Sequence, residues 1–325
     1  LRLYQQGDLP NAFGLCSRLD QRIPGQPVVL ELFAAVALAL GEIDQACMKL
    51  QEQVKLQKKN ASAHSNLSMA LYAAGRIPEA LKQAQKAIKL EPGLAQAHNN
   101  LANAYKRLGD LNRASTAYRR SLALGVNDPR VTMNLSETLY QQGNLEEAAK
   151  LAEEAVSKAP AFAPALKNLG AIYLQQGRTE EAQAILKKAL ALDPSDLDAR
   201  ANMAMLKLSL FEPEDAQRYL EEVLVANPRH AGALVNLGII REDQARRMAA
   251  KECYAAAIDS DPGMSAAYTN LARLLFEEGR EQEARHLLKQ ALQESAGTDP
   301  IYLDWASYEE LANNLTQARE LLNKI

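Results

Sequence analysis

An alanine returns every 34 residues from one end of the chain to the other: Ala12, Ala46, Ala80, Ala114, Ala148, Ala182, Ala216, Ala250, Ala284 and Ala318. Most sit in a phrase of one type, such as GRIPEALKQAQKAIKLEP at 75–92, GNLEEAAKLAEEAVSKAP at 143–160 and GRTEEAQAILKKALALDP at 177–194. Self-similarity at a fixed period of this length marks an array, in which each unit buries its apolar face against its neighbours. The length of 325 residues would otherwise suggest two ordinary domains, and the unbroken period replaces that expectation. Composition agrees. Apolar residues make up 47% but aromatic residues only 5%, and the apolar share is rich in Ala and Leu, which favours helix over sandwich or barrel.

The stretch 163–196 shows what one unit does. Leu166, Leu169, Gly170 and Tyr173 fall at i, i+3, i+4 and i+7, the apolar stripe of a first helix. Gly177 suits the left-handed residue that closes a helix. Glu180 and Glu181 open a second helix, where acidic side chains complement the positive end of the dipole. That helix carries Ala182, Leu186 and Ala189 on one face and stops at Asp193-Pro194. Gly170 and Ala182 are both small, so the two helices can cross closely. The pairing recurs as Ala34/Ala46, Ser68/Ala80, Ala102/Ala114, Ser136/Ala148, Ala204/Ala216, Gly238/Ala250, Ala272/Ala284 and Ala306/Ala318.

With these small and large residues at these positions, the chain resembles the tetratricopeptide repeat family over its whole length. A partial unit, 1–26, precedes units 27–60, 61–94, 95–128, 129–162, 163–196, 197–230, 231–264 and 265–298, and a last one runs 299–325. The resemblance implies an all-α solenoid of antiparallel helix pairs, about nineteen or twenty helices wound into a right-handed superhelix with the first helices on the concave face. Two units lack the inter-helix glycine, with Phe211 and Ala245 in its place, and the last has Asn313. An ordinary side chain in the left-handed region costs roughly 1 kcal/mol, so the turns at Phe211 and Ala245 are expected to be remodelled or strained. Leu1 begins inside a first helix and Ile325 ends a second one with no polar capping helix after it, so both ends are expected to be cuts in a longer protein or to border disordered edges.

Several function classes receive no support. Basic residues number 37 and acidic residues 40, a net charge of −3, so nothing points to nucleic acid. No apolar run reaches a membrane span; the longest, Leu32 to Leu40, is too short. Cys16, Cys47 and Cys253 are too scattered for disulfides or zinc and read as small buried hydrophobes of a reducing compartment, which favours the cytoplasm and leaves a bacterial periplasm open. His64 and His98 share the stripe position of Leu166 and Leu234 and read as packing residues. His230 and His286 have no ligand partners at metal spacing. No phosphate loop, nucleophile elbow or zinc-protease helix occurs. No catalytic residue, metal or cofactor is expected, and the chain reads as a non-enzyme.

One series stands apart. Asn66, Asn100, Asn134, Asn168, Asn202, Asn236 and Asn270 occupy the sixth residue of seven successive units, flanked by Leu32 and Asp304 at the equivalent places. At about 100° per residue, position six points roughly 150° away from the packed stripe. A carboxamide can pair with both the N–H and the C=O of a peptide unit. The row resembles the asparagine ladder of O-GlcNAc transferase and related bacterial repeat proteins, which implies an extended polypeptide as ligand. Position nine adds Ala171, Met205 and Ile239, an apolar floor between polar ends. Lys167 is followed by Ala171 and no unit has Arg at position six, which disfavours a clamp for a C-terminal carboxylate.

The expected function is therefore a protein-interaction scaffold. The expected groove consists of the seven asparagines with Met205 and Ile239, the partner is a protein or peptide, and self-association is left open. The alternative is the substrate-recruiting arm of a larger enzyme, of protein glycosyltransferase or sulfotransferase type, whose catalytic domain lies outside these residues.

Overall fold

The computed structural model describes residues 2–294 and 299–324, with backbone alone at 299 and 300. Leu1 and Ile325, which bound the first and last sequence units, and 295–298 at the end of unit 265–298 lie outside the described residues. Among the described residues there are twenty helices and no strand. None of these helices is long and apolar enough to cross a membrane.

The chain forms two compact units, 1–155 and 156–325. The first holds α1 (Arg2–Gln5), α2 (Leu9–Arg22), α3 (Pro27–Leu40), α4 (Ile43–Leu56), α5 (Ala61–Ala73), α6 (Ile77–Leu90), α7 (Ala95–Arg107), α8 (Leu111–Ala123), α9 (Pro129–Gln141) and most of α10 (Leu145–Lys158). The second holds α11 (Ala163–Gln175), α12 (Thr179–Leu192), α13 (Leu197–Ser209), α14 (Pro213–Ala226), α15 (Ala231–Asp243), α16 (Arg247–Ser260), α17 (Ser265–Glu277), α18 (Glu281–Glu294), α19 (Asp299–Leu311) and α20 (Leu315–Leu322). From α3 onward every odd-numbered helix starts on the first residue of a sequence unit.

Within the first unit α3 packs on α4, α5 on α6 and α7 on α8, and each pair packs on the next. The second unit repeats this from α11/α12 to α19/α20. First helices also touch one another directly, α5 with α7 in the first unit, and α11 with α13, α13 with α15 and α17 with α19 in the second.

The crossing within each pair depends on small residues. Ala46, Ala80, Ala114, Ala148, Ala182, Ala216, Ala250 and Ala284 are fully buried. Where the facing residue is serine, its hydroxyl donates to the alanine carbonyl: Ser68 Oγ to Ala80 O and Ser136 Oγ to Ala148 O, both at 2.7 Å. Where it is glycine, the vacated space is filled from one turn further along. A methyl group on Gly170 would stand 2.6 Å from Leu186 Cδ2, and one on Gly238 would collide with the ring of Tyr254. The crossing is thus a three-residue fit, with the position of Leu186 and Tyr254 as its third member.

The two glycine-less turns are strained but not remodelled. Phe211 and Ala245 adopt φ of 59° and 57°, in the same left-handed region as Gly177 at 71°. Their hydrogen bonds are those of the glycine turns. Phe211 N–H donates to Leu208 O at 3.0 Å and Glu212 N–H to Lys207 O at 2.9 Å, matching Gly177 to Leu174 at 3.0 Å and Arg178 to Tyr173 at 2.8 Å. This paired motif satisfies the last carbonyls of the first helix, and it holds the backbone in place whatever the side chain. Phe211 is 93% exposed, so no packing of its ring offsets the strain.

Position four fixes the connection that enters each first helix. His64 Nε2 lies 3.1 Å from Lys58 O and His98 Nε2 lies 3.0 Å from Pro92 O. Arg200 does the same service with two donors to Pro194 O, at 3.1 and 2.7 Å. In each case the acceptor is the carbonyl six residues earlier. Cys16 and Cys47 are buried and Cys253 is half-buried, all as free thiols.

The last helix pair contains a buried carboxylate. Glu309 is fully buried, at a stripe position held by Leu139 and Leu275 in other units. Arg285 Nε and Nη2 donate to its two oxygens, both at 2.7 Å, and Trp305 Nε1 and Asn314 Nδ2 donate at 2.8 and 3.1 Å. Burial opposes its charge, but the hydrogen bonds from Arg285 and Trp305 prevail and hold the carboxyl below its ordinary range.

Two measurements follow from these features. Phe211→Gly relieves the left-handed strain without loss of contact, and chemical denaturation should show a stabilisation of about 1 kcal/mol. A depressed carboxyl contributes stability above its unfolded pKa of about 4.3 and loses it as pH falls through the folded value. Glu309→Gln should therefore destabilise the α19–α20 pair at neutral pH by roughly 3 kcal/mol, since Arg285 and Trp305 lose a charged acceptor. It should also remove the part of the acid-induced loss that sets in below about pH 4. Amide exchange of α19 and α20 as a function of pH reads both effects.

Candidate peptide-contact face

The ladder asparagines stand in two environments, set by what the preceding unit offers at position five. In the first compact unit, Asn66 Nδ2 donates to Glu31 Oε1 at 3.1 Å. Asn100 Nδ2 donates to Ser65 O at 2.9 Å and to Ser65 Oγ at 3.0 Å, while its own oxygen accepts from Gln96 at 3.3 Å. Glu31 and Ser65 are both position five of the unit before. Asn100 is only 5% exposed, so this carboxamide ties adjacent first helices together instead of facing solvent. Asn134 is half-buried on α9.

In the second compact unit, position five carries Lys167, Ala201 and Val235. Lys167 is engaged elsewhere, and Ala201 and Val235 have no polar side chain. The carboxamides of Asn202, Asn236 and Asn270 are half-buried and have no hydrogen-bond partner among the described residues. Asn168 is half-buried on α11 and engaged within the chain. At the end of the series Asp304 takes position six and accepts from Thr269 at position five, the reverse of the amide donation in the first unit; burial pushes its carboxyl up. Burial, with Asp304 alongside, also pushes the Tyr308 hydroxyl up to about 12.

Two ion pairs show which residues meet along this face. Lys106 Nζ lies 2.7 Å from Glu137, and Glu242 lies 2.5 Å from Arg273 Nη2. Each joins position twelve of one unit to position nine of the next, with the signs reversed. In the middle of the second compact unit the equivalent places hold Leu174 and Met205, then Leu208 and Ile239. Leu174, Leu208 and Ile239 are half-buried and Met205 is 36% exposed. An uncharged floor therefore runs beside the unpaired carboxamides.

Closed ionic networks border that floor. Lys167 Nζ lies 2.9 Å from Asp198 Oδ2 and 3.3 Å from Asp196. His230 Nδ1 accepts the Ala233 N–H at 3.1 Å as the cap of α15, so the ring proton sits on Nε2, which donates to Asp198 Oδ1 at 3.1 Å. The His230 hydrogen bond, then Lys167, hold the Asp198 carboxyl far below the usual range. At the other border Arg273 bridges Glu242 and Glu277, and Tyr254 Oη donates to Glu242. Tyr118, at the same place in its pair as Tyr254, donates to Asn103 Oδ1 at 2.5 Å. Both hydroxyls reach from a second helix to the first-helix face.

Sequence reasoning missed the Asp198–His230 contact, because the two stand 32 residues apart at opposite ends of one unit, Asp198 at its second residue and His230 at its last. Its signal is a histidine at position 34 with an acidic residue at position two of the same unit, and the histidine is absent from the other units at that place. No group of three or more metal-ligating side chains occurs among the described residues. The arrangement offers free amide donors and acceptors over an apolar floor whose neighbouring charges are already paired, and such a surface suits recognition of a neutral main chain.

Three family models match. Two described as tetratricopeptide repeat cover residues 139–208 and 174–237, and 99–164 and 237–300, and one described as TPR repeat covers 69–109. A search of the curated proteins finds no match. Among solved structures the chain is similar to the Cut9–Hcn1 hetero-tetramer of the APC/C, with a TM-score of 0.66 and 16% identity, over 82% of this chain and 52% of that one. It therefore spans about half of the chain it matches there. It is also similar to pilF of Pseudomonas aeruginosa, with a TM-score of 0.51 and 24% identity, over 64% of this chain and 94% of that one. Identities this low speak for the fold alone. Together the family models run from residue 69 to residue 300, and the chain belongs to the tetratricopeptide repeat family.

Proposed function

We propose that this chain is a non-catalytic interaction scaffold that holds an extended segment of a partner protein against the first helices of its second compact unit. The observation that carries the reading is the set of carboxamides at Asn202, Asn236 and Asn270, at one repeat position, half-buried and without partners among the described residues. Their polar atoms are not buried away from solvent, so they stay available to a ligand at one repeated position of the face. A main chain laid along α13, α15 and α17 supplies the missing donors and acceptors. Met205 and Ile239 then contact its side chains. The same fold in Cut9–Hcn1 belongs to a hetero-tetramer, which agrees with an interaction role. Asn66 and Asn100 have a different part in this reading, since their amides are spent on Glu31 and Ser65.

Replacing Asn202, Asn236 and Asn270 together by Ala should leave the melting temperature within a few degrees of wild type. Partner affinity should fall about a hundredfold, at roughly 1 kcal/mol for each lost bonding site. Unchanged affinity in a folded triple variant would overturn the proposal. Asn100→Ala should behave in the opposite way: it removes the two hydrogen bonds to Ser65 that tie α7 to α5 and should cost about 1 kcal/mol of stability in denaturant unfolding, with little effect on binding.

A further inference from the structure

The scaffold reading leaves the conformation of the bound segment open, and the spacing of the face constrains it. We infer that the segment runs as a polyproline II helix and presents an apolar side chain at every third residue; this rests on the reading of the face given above. α13 packs directly on α11 and on α15. Packed helices lie about 8–10 Å apart, so equivalent atoms of Asn202 and Asn236 are separated by about that much. A polyproline II segment rises about 3.1 Å per residue with three residues per turn, so one turn spans about 9 Å. A β-strand also covers that distance in three residues, but its side chains alternate with a period of two, so the third residue faces the wrong way.

Each unit offers the same pair of features, a carboxamide at position six and an apolar side chain at position nine: Asn202 with Met205, then Asn236 with Ile239. Only a segment of threefold symmetry returns the same peptide group and the same side chain to each pair. Its backbone has no internal hydrogen bonds, so N–H and C=O are both available to the carboxamides. One residue in three must keep its N–H, and proline fits at the other two. The charges beside the floor are closed on each other, Lys167 with Asp196 and Asp198, Arg273 with Glu242 and Glu277. The segment therefore needs no charged side chain at the contact positions.

The test uses two fluorescein-labelled peptides of identical composition, rich in Leu, Pro and Ser, titrated with the full chain and read by anisotropy. In one, leucine falls at every third residue; in the other, leucines fall at every second residue. The triplet peptide should bind at least tenfold more tightly than its isomer. Ile239→Ser should weaken it about tenfold, and Asn236→Asp, which keeps size but removes the amide donor, should weaken it as well. If the isomer binds as tightly or more tightly, and both peptides lose affinity in the Asn202, Asn236 and Asn270 triple Ala variant, the register is wrong and the scaffold reading stands. If neither peptide binds wild type, or both bind the folded triple variant unchanged, the scaffold reading fails and takes the inference with it.

Discussion

Everything in this chain depends on helices that cross where there is almost no side chain. The alanines that recur every 34 residues are fully buried in pair after pair, and each faces an alanine, a serine or a glycine. A crossing this close lets neighbouring pairs stack with their first helices in direct contact. At Gly238 the missing side chain makes room for the ring of Tyr254. The serine hydroxyls of Ser68 and Ser136 add a hydrogen bond at the crossing without adding bulk.

The electrostatics of the first-helix face follow from the same stacking. In two ion pairs position twelve of one unit meets position nine of the next, so a pair of substitutions can install a salt bridge, reverse it or take its charges away. The chain does all three, with Lys106–Glu137, Glu242–Arg273 and the Leu174, Met205, Leu208, Ile239 stretch. Half-exposed ion pairs of this kind add little to stability. Their effect is on character: they neutralise the borders of the floor and leave its middle uncharged.

Features local to one repeat could be read from the sequence. Helix starts at Ala163, Leu197 and Ala231 follow from the period, and the left-handed turn at Gly177 follows from glycine itself. Phe211 and Ala245 show the limit of that reasoning. Residue preference pointed toward a remodelled or a strained turn without deciding between them, and the two hydrogen bonds that close the helix keep the backbone where glycine would put it, with the strain retained. Features that join two repeats were not legible. Helical geometry turned Asn100 away from the stripe of its own helix, but could not show Ser65 of the previous helix waiting for it. Glu309 on an apolar stripe gave no hint of Arg285, which comes from the helix before. A periodic sequence states what each unit carries, and the partners across a seam emerge only once the units are stacked.

The tyrosines at Tyr118 and Tyr254 give the two layers of helices a mechanical link. Each ring is rooted in a second helix, passes through the crossing, and grips a residue on the opposite face: Asn103 in one case, Glu242 and through it Arg273 in the other. A slide of α16 along α15 cannot leave the first-helix surface undisturbed, because it pulls Glu242 with it. At these two crossings the outer layer acts as a lever on the inner one, so flexing the solenoid there also reshapes the surface on which a partner would lie.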